Sequence, residues 1–415
     1  MALIVQKYGG SSVGTLDRVH HVAKRVMHAK EQGHQVVVVV SAMYGETDRL
    51  IQLANALTQN HDAREYDVLI STGEQVSMAL LSMALNAADC PARSFTGLQL
   101  GIQTDNTHTK ARILHVDRAV LDRELNQGRV VVVAGFQGVN EFGDITTLGR
   151  GGSDTTAVAI AAAIKADECQ IYTDVDGVYT TDPHMLPEAR LLPQISFEEM
   201  LEMASLGAKV LQIRSVELAM KHQMPIRVLS TFTEGVGTLV TFKDQIMHKR
   251  LVSGIAFSRE EAIISLLGIR RQAGIEGQLL ERISQAQIEI DMITQNSINN
   301  ETIDFTFTVH RREYPKALKL IEEFAHEIGA MSVKSNTKIA KLSLIGLGMR
   351  SHTEIAKTLF KCLGEAGVHI QMTATSEIKI SIIIDEHYLD QSVRVVHQAF
   401  ELDKAPQFAE RFHIE

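Results

Sequence analysis

The chain has 415 residues, of which 45% are hydrophobic and 22% charged, and a formal net charge of −9. That length exceeds one ordinary domain, and the acidic balance excludes a general nucleic-acid binder, which would need a basic stripe. Cys90, Cys169 and Cys362 lie far apart with no metal-ligand spacing and read as small buried hydrophobes. No signal-peptide layout opens the chain, and the longest apolar runs, Val36 to Val40 and Ala157 to Ile164, fall well short of the ~20 residues of a membrane span. A cytoplasmic protein is expected.

The first strand, Ala2 to Lys7, runs into the glycine-rich turn Lys7-Tyr8-Gly9-Gly10-Ser11-Ser12-Val13-Gly14, and a helix follows from Leu16 to Gln32. Gln35 to Ser41 shows no polar alternation, which fits a central strand covered on both faces. After the polar loop Ser41 to Asp48, a helix spans Glu74 to Ala88, opened by Ser71-Thr72-Gly73. A strand is expected over Arg129 to Gly135. A second glycine-rich turn, Gly149-Arg150-Gly151-Gly152-Ser153-Asp154-Thr155-Thr156, stands about 140 residues after the first and opens the helix Asp154 to Lys165. The strand Gln170 to Thr173 ends in the polar run Asp174-Val175-Asp176-Gly177-Val178-Tyr179, and Glu234 to Thr238 reads as a turn before a last short strand. Strands alternating with helices predict an α/β layered domain over residues 1–243, and 243–250 reads as a linker.

Residues 251–415 contain a weak duplication with a period of about 75 residues. Ser265-Leu266-Leu267-Gly268 aligns with Ser343-Leu344-Ile345-Gly346, and Ile290-Asp291-Met292-Ile293 with Ile370-Gln371-Met372-Thr373. Each copy reads strand, helix, strand, strand, helix, so two βαββαβ modules are expected at 251–337 and 338–415. Copy two reaches its second helix by Phe400 and lacks a fourth strand, while Leu251 to Phe257 is an apolar strand with no place in copy one. An unpaired edge is a liability, so Leu251 to Phe257 is expected to complete copy two.

The chemistry gathers at the two glycine turns. A strand that ends in glycines and opens a helix presents backbone N–H groups and a positive helix end to phosphate. Lys7 at the strand end would offset charge on a transferring phosphoryl group. Asp154 stands at a helix entry, where capping alone would also explain it. Arg150 lies in a glycine-flanked loop, and its fork matches a carboxylate. The spacing is neither a Walker-A pattern nor the dinucleotide fingerprint, which disfavours a dehydrogenase.

Over nearly its whole length the chain resembles the aspartate kinases of the amino-acid-kinase family, through Lys7 to Gly14, Gly149 to Thr156, Tyr172 to Tyr179 and the block Glu198 to Ser215. The duplicated region resembles that family's tandem ACT modules. The resemblance implies a three-layer αβα kinase domain followed by two ferredoxin-like ACT modules. The implied reaction is transfer of the ATP γ-phosphoryl group to the side-chain carboxylate of L-aspartate. It places Lys7, Gly9, Gly10 and Ser11 on the ATP phosphates, with magnesium carried in by the nucleotide, and makes Asp154 the organiser of Lys7. Tyr172, Thr173, Asp174, Tyr179, Asp182, Pro183 and Lys209 match the nucleotide pocket. Ser41, Thr47, Glu74, Arg150, Gly151, Gly152 and Ser153 match the aspartate site, with Arg150 on the α-carboxylate and Glu74 near the ammonium group.

For the regulatory part the resemblance implies a homodimer through the ACT modules and an amino-acid effector such as lysine or threonine. Arg271, Gly274, Gln295, Asn296, Ser376 and Glu377 match its site. Two positions depart from the family pattern. His184 stands where Arg is usual, and Arg271 replaces an acid in the first ACT loop, which predicts a weakened or altered effector response. The alternatives are a kinase for glutamate or N-acetylglutamate, and a non-catalytic amino-acid sensor. Retention of both Lys7 and Asp154 argues against the sensor.

Overall fold

The structure is a computed structural model that describes residues 1–206, 210–246, 251–297 and 301–405. It divides into two compact units. The first holds Met1–Tyr179, Leu191–Ser205 and the described residues of 210–246, and the second holds the rest, including the excursion Thr180–Arg190.

An eight-stranded sheet forms the middle of the first unit, in the order Gln194–Ser196, Thr238–Thr241, Ile226–Ser230, Glu168–Thr173, Leu3–Tyr8, Gln35–Val40, Val130–Ala134 and Ala92–Phe95. All neighbours are parallel except Ile226–Ser230 with Thr238–Thr241. Val36 to Val40 and Val130 to Val133 are wholly buried because helices cover both faces. On one face the helices Leu16–Glu31 and Thr72–Ala87 pack Val19, Val22, Val26, Leu81 and Leu85 onto Val36, Val38, Val40 and Val132. On the other lies Gly152–Ile164, against the strands Leu3–Tyr8, Gln35–Val40 and Glu168–Thr173. The helical run Ala63–Ala87 is long and apolar enough to cross a membrane by length and composition, but half of its apolar window is buried, with Leu81 and Leu85 in the core.

Sequence patterning did not foresee a small second sheet, ordered Ile113–Val116, Ile102–Thr104, Gln137–Val139, Ile145–Thr147. Strands of three or four residues carry too little periodicity to be read. The first glycine turn opens a 3₁₀ turn, Gly10–Val13, and the α-helix begins only at Leu16, capped by the Thr15 hydroxyl.

The second unit carries a six-stranded antiparallel sheet, ordered Ile290–Ser297, Thr302–His310, Gly254–Arg270, Ser332–Ile345, Lys379–Asp385, Ile370–Thr375. Two long strands run where the sequence suggested three shorter ones. Gly254 to Ser258 pairs with Lys341 to Ile345 of copy two, and Ile263 to Leu267 pairs with Ser332 to Asn336. Gly254–Ser258 therefore completes the sheet of copy two, while Ile263–Leu267 and Ser332–Asn336 pair within copy one, and neither half-sheet has a free inner edge. Each module buries its own helix pair, around Leu279 and Ile321 in one and Leu359 and Val393 in the other.

Candidate active site

The loops that leave the carboxyl ends of Leu3–Tyr8, Gln35–Val40, Val130–Ala134 and Glu168–Thr173 border one cleft of about 1060 Å³ in the first unit. Parallel sheets bind ligands at this edge. Lys7 sits in the sheet interior, in register with Val39 on one side and Ile171 on the other. Its Nζ lies 2.6 Å from Oδ1 of Asp154, and each side chain is only about a tenth exposed. Asp154 is the third residue of Gly152–Ile164, whose N-cap is Gly151 in the left-handed region without a side-chain cap. The capping reading of Asp154 therefore fails. Its carboxylate is engaged with Lys7 at a helix N-terminus, where Gly152 already donates its amide to the Gly149 carbonyl at 3.0 Å.

The glycines are required by close approach. A Cβ on Gly10 would stand 2.9 Å from the Ala42 carbonyl oxygen, and one on Gly151, at φ +72°, would stand 2.1 Å from Cγ of Gln212. Gly9 donates its amide to the Tyr172 carbonyl at 3.3 Å, fixing the turn on the neighbouring strand.

Around the cleft the structure brings together Ser41, Thr47, Glu74, Arg150, Gly151, Gly152 and Ser153 with Lys7, Gly10, Ser11 and Asp174. Thr47 is inside the helix Glu46–Leu57 rather than at its cap, which is Gly45. Glu74 is the most unusual of these groups. It is 3% exposed, Oε1 accepts the Ala42 amide at 3.1 Å, and Oε2 has no hydrogen-bond partner. Burial pushes its carboxyl up to about 7, against the pull of the Ala42 amide and its own. A buried carboxylate with one oxygen free, lining a cleft, is built to receive a cation.

The nucleotide-side residues divide. Asp174 lines the cleft, and Thr173 donates its hydroxyl to it at 3.1 Å. The Tyr172 ring does not line it: it is 7% exposed and stacks on Tyr8 at 4.7 Å within the core, leaving its backbone to the glycine turn. Tyr179 bridges to Leu191 and donates to Asp176 at 3.4 Å, away from the cleft lining. Asp182 and Pro183 belong to the second unit. There Asp182 accepts the His184 amide at 2.8 Å, and Thr180 is held by Ile255 and His397. Lys209 lies outside the described residues.

The amino acid kinase family model matches residues 2–230, and an ACT domain model matches 264–324 and 342–400. The aspartate kinase of Pseudomonas putida is 57% identical over 404 residues, covering 97% of this chain and 98% of that protein. The chain belongs to the aspartate kinases. The aspartokinase of Thermus thermophilus is 48% identical across 98% of this chain and all of its own length. The crystal structure of E. coli aspartokinase III in complex with aspartate and ADP matches with a TM-score of 0.78 at 25% identity, over 96% of this chain and 99% of that one.

This aspartate kinase also places in its cleft residues that sequence reading gave no role: Tyr44, Lys110, Phe136, Gln212 and Arg214. Gln212 and Arg214 belong to the block that carried the family resemblance, so their presence had a signal but their direction did not. Phe136 had none. It adopts φ +70° and donates its amide to the Thr156 hydroxyl at 3.1 Å, a strained conformation for a bulky residue at the cleft wall. In the ACT unit, Arg271 is exposed and Gly274, at φ +89°, caps the helix Ile275–Gln285. Gln295 donates to Glu276 at 2.9 Å, so an acid that the sequence gave no role stands beside Gln295. Asn296 pairs in register with Asp304, Ser376 closes the turn before Lys379–Asp385, and Glu377 lies 4.0 Å from Arg350.

Proposed function

We propose that this aspartate kinase holds ATP and L-aspartate at opposite ends of the cleft and transfers the γ-phosphoryl group between them under Lys7. The observation that carries the reading is the Lys7–Asp154 pair, 2.6 Å apart, between the two glycine turns. At neutral pH the aspartate side chain is already ionised, so its oxygen attacks phosphorus without a general base. The bond from phosphorus to the bridging oxygen breaks, and ADP leaves. The obstacle is repulsion between carboxylate and triphosphate. Lys7 counters it from the sheet, and the turn at Gly10 and Ser11 and the first turn of Gly152–Ile164 offer amides. Magnesium, if carried in by the nucleotide, would supply neutralisation of phosphate charge. The cleft carboxylates of Asp154 and Asp174 are hard oxygen donors that suit it.

At the other end, Arg150 would take the α-carboxylate in a two-pronged contact, and the free Oε2 of Glu74 the ammonium group, with Ser41, Thr47 and Ser153 completing the polar wall. The E. coli relative crystallised with aspartate and ADP supports this pairing of ligands. The product is 4-phospho-L-aspartate, which places the enzyme at the first step toward lysine, threonine and methionine, in the cytoplasm. The exposed edge strands Ile290–Ser297 and Ile370–Thr375 suit pairing with a second copy, and the ACT modules a lysine or threonine effector.

A coupled assay for ADP release with aspartate, glutamate and N-acetylglutamate as acceptors tests the reading, repeated with lysine and threonine added. Turnover confined to aspartate is expected. Turnover faster with either alternative acceptor would overturn it.

A further inference from the structure

Beside the cleft lies a buried acidic side chain that none of the roles above uses. Asp67, on the helix Ala63–Ile70, is 0% exposed. Its carboxylate is fully engaged. Oδ2 accepts from Nδ1 of His108 at 2.8 Å, both oxygens accept the Thr109 amide at 3.0 and 3.1 Å, and Oδ1 accepts the Thr147 hydroxyl at 2.5 Å. Removing a carboxylate from water is costly, and such a site persists only where the surrounding donors make up for it. The donors here come from two segments distant in sequence, the loop around Thr109 and the strand Ile145–Thr147.

Those two segments meet at the substrate end of the cleft. Ala111 donates its amide to the Thr147 carbonyl at 2.9 Å. Thr109 holds a left-handed conformation, φ +66°, and lines the cleft with Lys110. Its carbonyl oxygen comes so near Gly149 that a Cβ there would stand 3.0 Å away. Two residues beyond Thr147 begins the Gly149–Arg150 turn. On its other side Arg214 donates to the Leu148 carbonyl at 3.1 Å, and Gln212 fills the space over Gly151. Arg150 itself is exposed and has no hydrogen bond among the described residues, so its place depends on the backbone that carries it.

We propose that Asp67 is a positioning residue for aspartate. By fastening Thr109 and Thr147 to one carboxylate, it fixes the backbone from which Arg150 reaches the substrate, and His108 orients that carboxylate from the outer side. The inference rests on the assignment of Arg150 to the aspartate carboxylate. A geometric error of about 1 Å at such a contact is enough to cost up to a hundredfold. The ATP end is held by the first glycine turn and does not depend on this network.

Steady-state kinetics of the full-length chain test it. Asp67→Asn is expected to raise the aspartate KM about tenfold while the ATP KM stays within about twofold. Because Asp67→Asn could fail to fold, His108→Leu is measured beside it and is expected to shift the aspartate KM the same way. His108→Asn, whose amide nitrogen can donate where Nδ1 does, should restore it. The double variant His108→Leu/Arg150→Lys should have an aspartate KM no higher than Arg150→Lys alone, since both act on one contact. Equal rises in both KM values, or a lowered melting temperature with an unchanged aspartate KM in His108→Leu, would overturn the proposal. An unchanged aspartate KM in Arg150→Lys would instead remove the Arg150 assignment, and the proposed route with it.

Discussion

Two buried lysines, one in each unit, are paired with acids and yet have opposite meanings. Lys7 and Lys341 are both central-strand residues, 11% and 5% exposed at the side chain. Lys7 meets one carboxylate, borders a cleft, and is flanked by a turn whose glycines let backbone amides face the same space. Lys341 meets two carboxylates, Asp291 and, at 3.9 Å, Glu261, and does not line the cleft that Lys7 borders. Burial raises the Glu261 carboxyl although Lys341 draws it down. A buried ion pair alone therefore says nothing of catalysis. What sets Lys7 apart is the cleft it borders, between the two glycine turns.

The largest expected effect tests that difference directly. Lys7→Ala and Asp154→Ala should cut turnover a hundredfold or more, about 3 kcal/mol of transition-state stabilisation, and each, by leaving its partner uncompensated, should also lower the melting temperature. Near-normal kcat in either variant would dissolve the distinction. Lys341→Ala should lower stability alone. It leaves Asp291 and Glu261 uncompensated, at a cost of about 3 kcal/mol in a melting or denaturant measurement, with turnover at low temperature unchanged.

At the substrate end, Arg150→Lys keeps the charge but loses the fork, and about a tenfold rise in aspartate KM with little change for ATP is expected.

Glu74 sharpens the comparison through pH. Its folded pKa, about 7, lies above the ordinary carboxyl value. The folded state therefore keeps a proton that the unfolded state releases, and Glu74 lowers stability progressively as pH rises from about 4.5 to 7. For binding the sign is reversed, because only ionised Glu74 attracts the substrate ammonium. kcat/KM for aspartate should fall as pH drops through about 7. Glu74→Gln should remove that limb and be more stable than the parent at pH 8. A profile unaltered by Glu74→Gln would exclude the role.

The smallest effect is expected at Arg271. Taken alone, a cation facing an effector's ammonium would weaken binding several-fold even after screening. With Glu276 held nearby by Gln295, Arg271→Asp should strengthen lysine or threonine inhibition only about threefold, and Glu276→Gln should weaken it by more. An unchanged response in both variants would place the effector elsewhere.

Much of this molecule was legible in the chain. Valine runs without alternation announced central strands, two glycine turns announced the loops that meet at the cleft, and a repeated strand pattern announced the doubled C-terminal region. Those features are local, set by side-chain period and by glycine's freedom, and they survive reading one residue at a time. The arithmetic of strands even forecast that 251–257 must serve copy two.

Other features exist only once distant segments meet. Nothing in the sequence distinguishes Tyr172, whose ring is a core residue stacked on Tyr8, from a tyrosine facing a nucleotide. Nor does it tell that Thr180–Arg190 leaves the first unit to pack in the second, or that Arg214 turns into the cleft. The pKa of Glu74 and the four contacts of Asp67 are likewise products of burial and convergence. Sequence determined which residues could perform the chemistry, because charge, hydrogen-bonding capacity and backbone freedom belong to each residue. Tertiary structure decided which of them stand together at one cleft, because desolvation and distance belong only to the folded arrangement.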